Sequence, residues 1–142
     1  MTAGVVVDTS AVVAVLQAED ASERIVAHLA EAGPRLMSTA TRVELGIVVE
    51  ARFGAPGRDL VDRFLRDAAV ELVDVTAEMA ERAISAWRRY GKGRHAAGLN
   101  FGDCFAYALA EHSGFPLLCT GEDFIATDLE IKIGRASCRE RV

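Results

Sequence analysis

The chain has 142 residues, 51% of them hydrophobic and 26% charged, with only 3 Pro. That length fits one domain with a core of its own, and the composition excludes a disordered, collagen-like or low-complexity chain. The 16 basic and 21 acidic residues leave a net charge of −5, which excludes a broad basic nucleic-acid footprint but not an acidic cleft that acts on nucleic acid through a metal ion. Cys104, Cys119 and Cys138 are odd in number and form no CxxC pair. They offer no disulfide framework or zinc knuckle, and read as buried or idle thiols in a reducing cytoplasm. No apolar run reaches the roughly 18 to 20 residues that span a bilayer. The first ten residues lack the basic stretch of a secretory signal, so a cytoplasmic protein without membrane contact is expected.

In chain order, residues 4–7 form a β-branched run that stops at Asp8, as a buried parallel strand does. Asp8, Thr9 and Ser10 supply capping side chains for a helix over 11–18. Asp20 and Glu23 have capping-box spacing before a helix faced by Ile25, Val26 and Leu29. Gly33-Pro34 ends it, and 35–38 reads as a strand. A helix over 41–53 stops at Gly54, and Leu60, Val61, Phe64, Leu65 and Ala68 mark another after Pro56-Gly57. Residues 70–75 alternate like a strand. Thr76 caps a helix striped by Met79, Ala80, Ala83, Ile84 and Trp87, with Gly91 as its C′ residue. A Gly-rich basic loop spans 91–98, and a helix over 100–112 ends at Gly114 and Pro116. Residues 117–119 form a short strand, 121–126 a turn or short helix, and 129–133 a last strand. Strands alternating with helices predict an α/β fold with a central, mostly parallel sheet of about four to five strands. The pattern covers 1–133 as one domain. The tail 134–142, GRASCRERV, has no apolar period and reads as a cloning remnant or a basic tail that touches a partner.

Asp8, Glu44, Asp103 and Asp123 stand out by position. Asp8 and Asp123 follow strands, while Glu44 and Asp103 sit near helix starts. In an open parallel sheet such positions converge on the carboxyl edge, where ligands bind. Each also has a plain capping reading. Asp8 can N-cap, and Thr41 to Glu44, Asn100 to Asp103 and Thr120 to Asp123 all have capping-box spacing. Glu44 fits that reading least, because Ala40, Ile47, Val48 and Ala51 share its helical face and a carboxylate in an apolar stripe needs a partner. No Lys or Arg sits beside these acids in sequence. Converging carboxylates raise one another's pKa or recruit a cation, and Mg²⁺ or Mn²⁺ suits an all-oxygen donor set. Such an ion supports phosphodiester hydrolysis by an activated water. Positive groups must then help hold the polyanion; Arg42, Arg88, Arg89, Lys92, Arg94 and His95 are available, densest from Arg88 to His95. The Phe101, Phe105, Tyr107 and Leu109 cluster reads as core rather than as a base-stacking platform.

With these residues placed, the chain resembles the PIN-domain family, and within it the VapC toxins of bacterial toxin–antitoxin pairs. The resemblance runs over roughly residues 4–133. It rests on VVVDTSAVVAVL, TRVELGIVVEARFG, YGKGRHAAGLNFGDCFAYALA and PLLCTGEDF, the third being the most specific. It implies a three-layer α/β/α fold and a Mg²⁺-dependent (or Mn²⁺-dependent) endoribonuclease, inhibited by a cognate VapB-type antitoxin and commonly a homodimer. It also implies that Asp8, Glu44 and Asp103 are acidic metal-site residues, with Asp8 and Asp103 as ligands and Glu44 orienting the attacking water or completing the coordination. The fourth acid is Asp123, with Glu122 and Asp128 as alternatives. Ser10 hydrogen-bonds into the site, and Arg88, Lys92 and Arg94 are candidate RNA contacts.

Two other readings fit the sequence. A non-catalytic module could bind RNA or antitoxin on the same fold, and a failure to bind Mn²⁺ would favour it. A metal-dependent phosphatase could act on small phosphate esters, although residue 10 is Ser where an aspartyl-phosphate route needs Asp-x-Asp.

Overall fold

The computed structural model describes residues 4–134. Its elements are β1 (Val5–Val7), α1 (Thr9–Leu16), α2 (Ser22–Leu29), β2 (Arg35–Ser38), α3 (Thr39–Phe53) and α4 (Pro56–Asp67), followed by β3 (Glu71–Val73), α5 (Ala77–Tyr90), α6 (Phe101–Ser113), β4 (Leu117–Thr120) and β5 (Ile131–Gly134). The strands lie in the order β3-β2-β1-β4-β5, and every pairing is parallel. The expected three-layer α/β/α arrangement is present, with five strands.

Strand burial follows from the period-two alternation of side chains. Val5 and Val7 enter a core with residues of α1, α2, α3 and α4, whereas Val6 enters a second core with residues of α5 and α6. β4 repeats the pattern, Leu118 going to the first core and Leu117 and Cys119 to the second. Helices cover both faces, so β1 is valine throughout. The chain steps from β1 to β2 and β3 on one side, then returns to place β4 on the other. That reversal opens a crevice between the carboxyl ends of β1 and β4.

Several local expectations change in the fold. α2 begins after Ala21 with no side-chain cap, so the Asp20–Glu23 box is not formed. α3 starts earlier than its apolar pattern indicates, because Ser38 caps it, its Oγ accepting from the Ala40 N–H at 3.2 Å. Thr41 therefore lies inside the helix and caps nothing. The buried stripe of α3 is Thr41, Leu45 and Val49, the i, i+4, i+8 row. Ile47 is 65% exposed, so Glu44 does not stand in a buried apolar stripe; it lies half-buried on the flank. The sequence reading named the face of Ala40, Glu44, Ile47, Val48 and Ala51, whereas docking on the sheet buries the neighbouring row.

α5 buries Met79, Ala83 and Ala86, leaving Ile84 and Trp87 at its margin. Gly91 caps α5 with extended backbone (φ −66°) rather than as a left-handed C′ residue. Glycine is needed there because a Cβ would collide with Trp87. The 91–98 loop is pinned at its base by Lys92 N–H to Leu99 O and Leu99 N–H to Tyr90 O, both 2.9 Å. Gly114 ends α6 in the left-handed region (φ +78°), as a C-terminal glycine does. Residues 121–130 form turns without a helix, so Thr120 and Asp123 make no capping box. No helix among the described residues is long and apolar enough to cross a membrane. Residues 135–142, on which the tail reading and Cys138 fall, lie outside the described residues, and Gly134 closes β5.

Candidate active site

The crevice at the β1–β4 reversal holds a pocket of about 310 Å³. Asp8, Glu44 and Asp103 all line it, together with Ser10 and Thr120. Three different elements deliver the acids. Asp8 follows β1 and is 5% exposed, Glu44 projects from the second turn of α3, and Asp103 sits in the first turn of α6 and is 8% exposed.

The capping and site readings coexist for two of them. Asp8 N-caps α1 through Oδ2, which accepts from the Ser10 N–H at 3.1 Å and the Ser10 hydroxyl at 2.7 Å. Asp103 completes a capping box with Asn100, its Oδ2 accepting from the Asn100 N–H at 3.0 Å while its own N–H donates to Asn100 Oδ1 at 2.8 Å. A carboxylate has two acceptor oxygens, so one capping bond does not exhaust it. The caps fix where each acid points. The Ser10 hydroxyl donates to Asp8 and accepts from the Thr120 N–H at 3.0 Å, tying Asp8 to the end of β4.

Glu44 is held differently. The Thr9 hydroxyl donates to its Oε1 at 2.6 Å. On its other side lies Gly102, where a Cβ would overlap the Glu44 carboxylate. The sequence reading took Thr9 only as a capping side chain and did not single out Gly102. Their signal lay only in adjacency, next to Asp8 and Asp103 respectively. Arg52 was missed as well. It lines the pocket and follows Glu44 by two i, i+4 steps on α3, and its Nη1 donates to Gln17 Oε1 at 3.1 Å.

The electrostatics are those of crowded acids. Burial pushes Asp8 above the usual carboxylate range, against the opposing Ser10 hydrogen bonds, and Glu44 adds repulsion. Burial also pushes Asp103 up to about 7, opposed by the Asn100 hydrogen bond and helped by the charges of Asp8, Asp123 and Glu44. Each carboxylate disfavours ionisation of the next, which is the condition a bound cation relieves. Among the described residues, no three Asp, Glu, His or Cys side chains stand close enough together to hold an ion as they are placed. The donor set is nonetheless hard oxygen, aimed into one pocket, and fits a divalent ion of the Mg²⁺ or Mn²⁺ class.

Asp123 acts on Asp103 by charge. It is exposed in the turn after β4 and is not among the residues lining the acid pocket. Glu122 is exposed in the same turn. Asp128 is engaged elsewhere: it accepts from the buried Tyr107 hydroxyl at 2.6 Å and from Arg89 at 3.2 Å. The Tyr107 bond holds Asp128 below the usual carboxylate range. Tyr107→Phe is expected to cost about 1 kcal/mol by urea unfolding near neutral pH, at the low end for a charged acceptor because Asp128 is half exposed. A depressed carboxylate stabilises above its unfolded pKa and loses that contribution as pH falls through the folded value. The gap between wild type and Tyr107→Phe therefore closes in acid; a gap constant from pH 7 to 3 would contradict this.

Residues 5–129 match the PIN domain. The chain belongs to the PIN-domain family. It is 55% identical over 124 residues to Ribonuclease VapC30 of Mycobacterium tuberculosis, covering 87% of this chain and 95% of that protein. It is 53% identical over 124 residues to Ribonuclease VapC of Mycolicibacterium smegmatis, covering 87% and 96%. Among solved structures it resembles Mycobacterium tuberculosis VapC20, described as a sarcin-ricin loop cleaving toxin, with a TM-score of 0.71, 22% identity, and coverage of 88% of this chain and 95% of that one.

In this PIN domain the described basic residues lie outside the acid pocket, Arg52 apart. Arg42 pairs with Asp62 at 3.2 Å, and Arg89 with Asp128 and Glu111. His95 Nδ1 accepts from the Ala97 N–H at 2.9 Å, a loop contact. Arg88, Lys92 and Arg94 are exposed beside α5. Cys104 and Cys119 are buried, and burial pushes the Cys104 thiol up to about 11, which suits an unreactive packing role.

Proposed function

We propose that this PIN-domain protein is a divalent-metal-dependent endoribonuclease and the toxin of a toxin–antitoxin pair. The observation that carries the reading is the convergence of Asp8, Glu44 and Asp103, from three elements, on one pocket at the β1–β4 crevice. The ribonuclease names of relatives above 50% identity support it. Asp8 and Asp103 would supply ligands to Mg²⁺ or Mn²⁺. An ion held there would polarise a phosphoryl oxygen and lower the pKa of a water. Glu44, steadied by the Thr9 hydroxyl, orients the attacking water with its remaining oxygen and accepts its proton. Asp123 adds negative charge at the rim. A VapB-type antitoxin is the proposed inhibitor and a homodimer the proposed assembly, in the cytoplasm; solved neighbours of similar fold include a VapBC2 complex from Rickettsia felis (TM-score 0.72, 15% identity, 91% of this chain and 97% of that one).

The non-catalytic reading draws on one observation, the absence of a closed three-ligand group among the described residues. Metal binding separates the two. Mn²⁺ at about 100 times its Kd adds about 2.7 kcal/mol to a native state that binds it, a rise of roughly 10 °C in Tm for a domain of this size. That rise is expected for wild type and is lost in Asp103→Asn. A wild-type Tm indifferent to Mn²⁺, with no RNA cleaved, would leave the binding-module reading in place.

A further inference from the structure

α5 and α6 leave between them an open apolar groove of about 660 Å³. Ile84 and Trp87 form one wall, and Phe101 and Phe105 the other. Phe101, expected in the core, is instead 82% exposed, and Trp87 is 45% exposed. Phe101 meets Phe105 edge to face at 5.0 Å between ring centroids. Exposed aromatics gathered on one groove mark a binding surface more than a packing accident.

The charges are sorted around it. Among the described residues, Lys92 is the only charged one lining the groove. Arg94 lays its guanidinium 4.7 Å from the centroid of the Trp87 ring, steadied by a 3.1 Å bond from its Nε to Arg88 O. The acids sit next door. The turn of α6 that presents Phe101 to the groove presents Asp103 to the acid pocket, and Asn100 both lines the groove and caps with Asp103.

We propose that the α5–α6 groove seats an unpaired base of the RNA strand whose scissile phosphate lies at the acid pocket, with Phe101 and Trp87 as stacking faces and Lys92 and Arg94 meeting the flanking phosphates. The proposal rests on the ribonuclease reading. An apolar protein segment would use Phe101 and Ile84, and would need acidic residues of its own to use Lys92 and Arg94. A single strand uses both, because bases stack on aromatic and guanidinium planes while cations track the backbone. A strand repelled by the buried acids also needs its attraction supplied beside them.

Trp87 is the only tryptophan in the chain, so its fluorescence reports on the groove alone. The wild-type protein, in EDTA at low salt, is titrated with a short oligoadenylate RNA and with an abasic strand of equal charge. Saturable quenching by oligoadenylate and none by the abasic strand is expected. Phe101→Ala should raise Kd about tenfold and Phe101→Tyr restore it; the exposure of Phe101 makes both variants safe for folding. Equal quenching by the two strands, or a Kd unmoved by Phe101→Ala, overturns the proposal. So does light scattering in which Phe101→Ala turns a dimer into a monomer, which assigns the groove to a second copy. Mn²⁺-dependent cleavage is scored separately. Cleavage with unquenched Trp87 removes the groove and keeps the ribonuclease; base-dependent quenching without cleavage keeps the groove and removes the ribonuclease.

Discussion

Asp8→Asn and Asp103→Asn each lower Mn²⁺-dependent RNA cleavage by about 10³-fold or more. Loss of a ligand removes several kcal/mol of transition-state stabilisation, and about 4 kcal/mol corresponds to that factor. The fold should survive both changes. Asn caps helices as well as Asp does, so the bond from the Ser10 N–H to residue 8 is retained. The change also removes a charge that repels Glu44 and Asp103. Thermal unfolding without metal should therefore show a Tm equal to or above wild type. Cleavage within tenfold of wild type in both variants would remove the site assignment, whereas a collapsed Tm would mean that the acids serve the fold first.

Gly102→Ala is the second large effect, and it separates stability from activity. Alanine in a helix interior is favoured over glycine by roughly 0.5–1 kcal/mol, and Gly102, second in α6, gains at most the low end of that range. The added Cβ lands on the carboxylate of Glu44, which is the flexible end of a side chain and can swing away. Swinging costs the fold little but pulls Glu44 off the Thr9 hydroxyl. Displacement of a catalytic group by about 1 Å costs up to about 10²-fold. Cleavage is thus expected to fall between about 10- and 100-fold while Tm holds or rises. Thr9→Val tests the same link from the other side, since it deletes the hydroxyl that fixes Glu44. Full activity in both variants would show that the orientation of Glu44 does not matter.

Much of this was legible in order along the chain. The valine run before Asp8 declared a strand buried on both faces, because only a two-sided core makes every residue of a strand apolar. Gly54 and Gly114 marked where α3 and α6 stop. The acids at positions 8, 44 and 103 followed strand and helix ends, and alternation of strands with helices implied that such ends share one edge. Resemblance to the PIN-domain family, carried by the segment around Asp103, pointed the same way.

Other features depended on which surfaces meet. α3 offered two overlapping apolar rows, and only docking on the sheet and α4 chose Thr41, Leu45 and Val49 over the row holding Glu44. Asp128, an alternative for the fourth acid, is engaged by Tyr107 and Arg89, both distant in sequence. Thr9, Gly102 and Arg52 lie within the segments that carry the family resemblance, yet nothing in their spacing assigns them a role, because their contacts exist only where α1, α3 and α6 cross at the same crevice. The exposure of Phe101 was likewise invisible, since an apolar residue in a helix pattern reads as core. Periodicity reports which face of an element is apolar. It does not report what comes to cover that face, because burial is a property of pairs of elements and depends on how they pack.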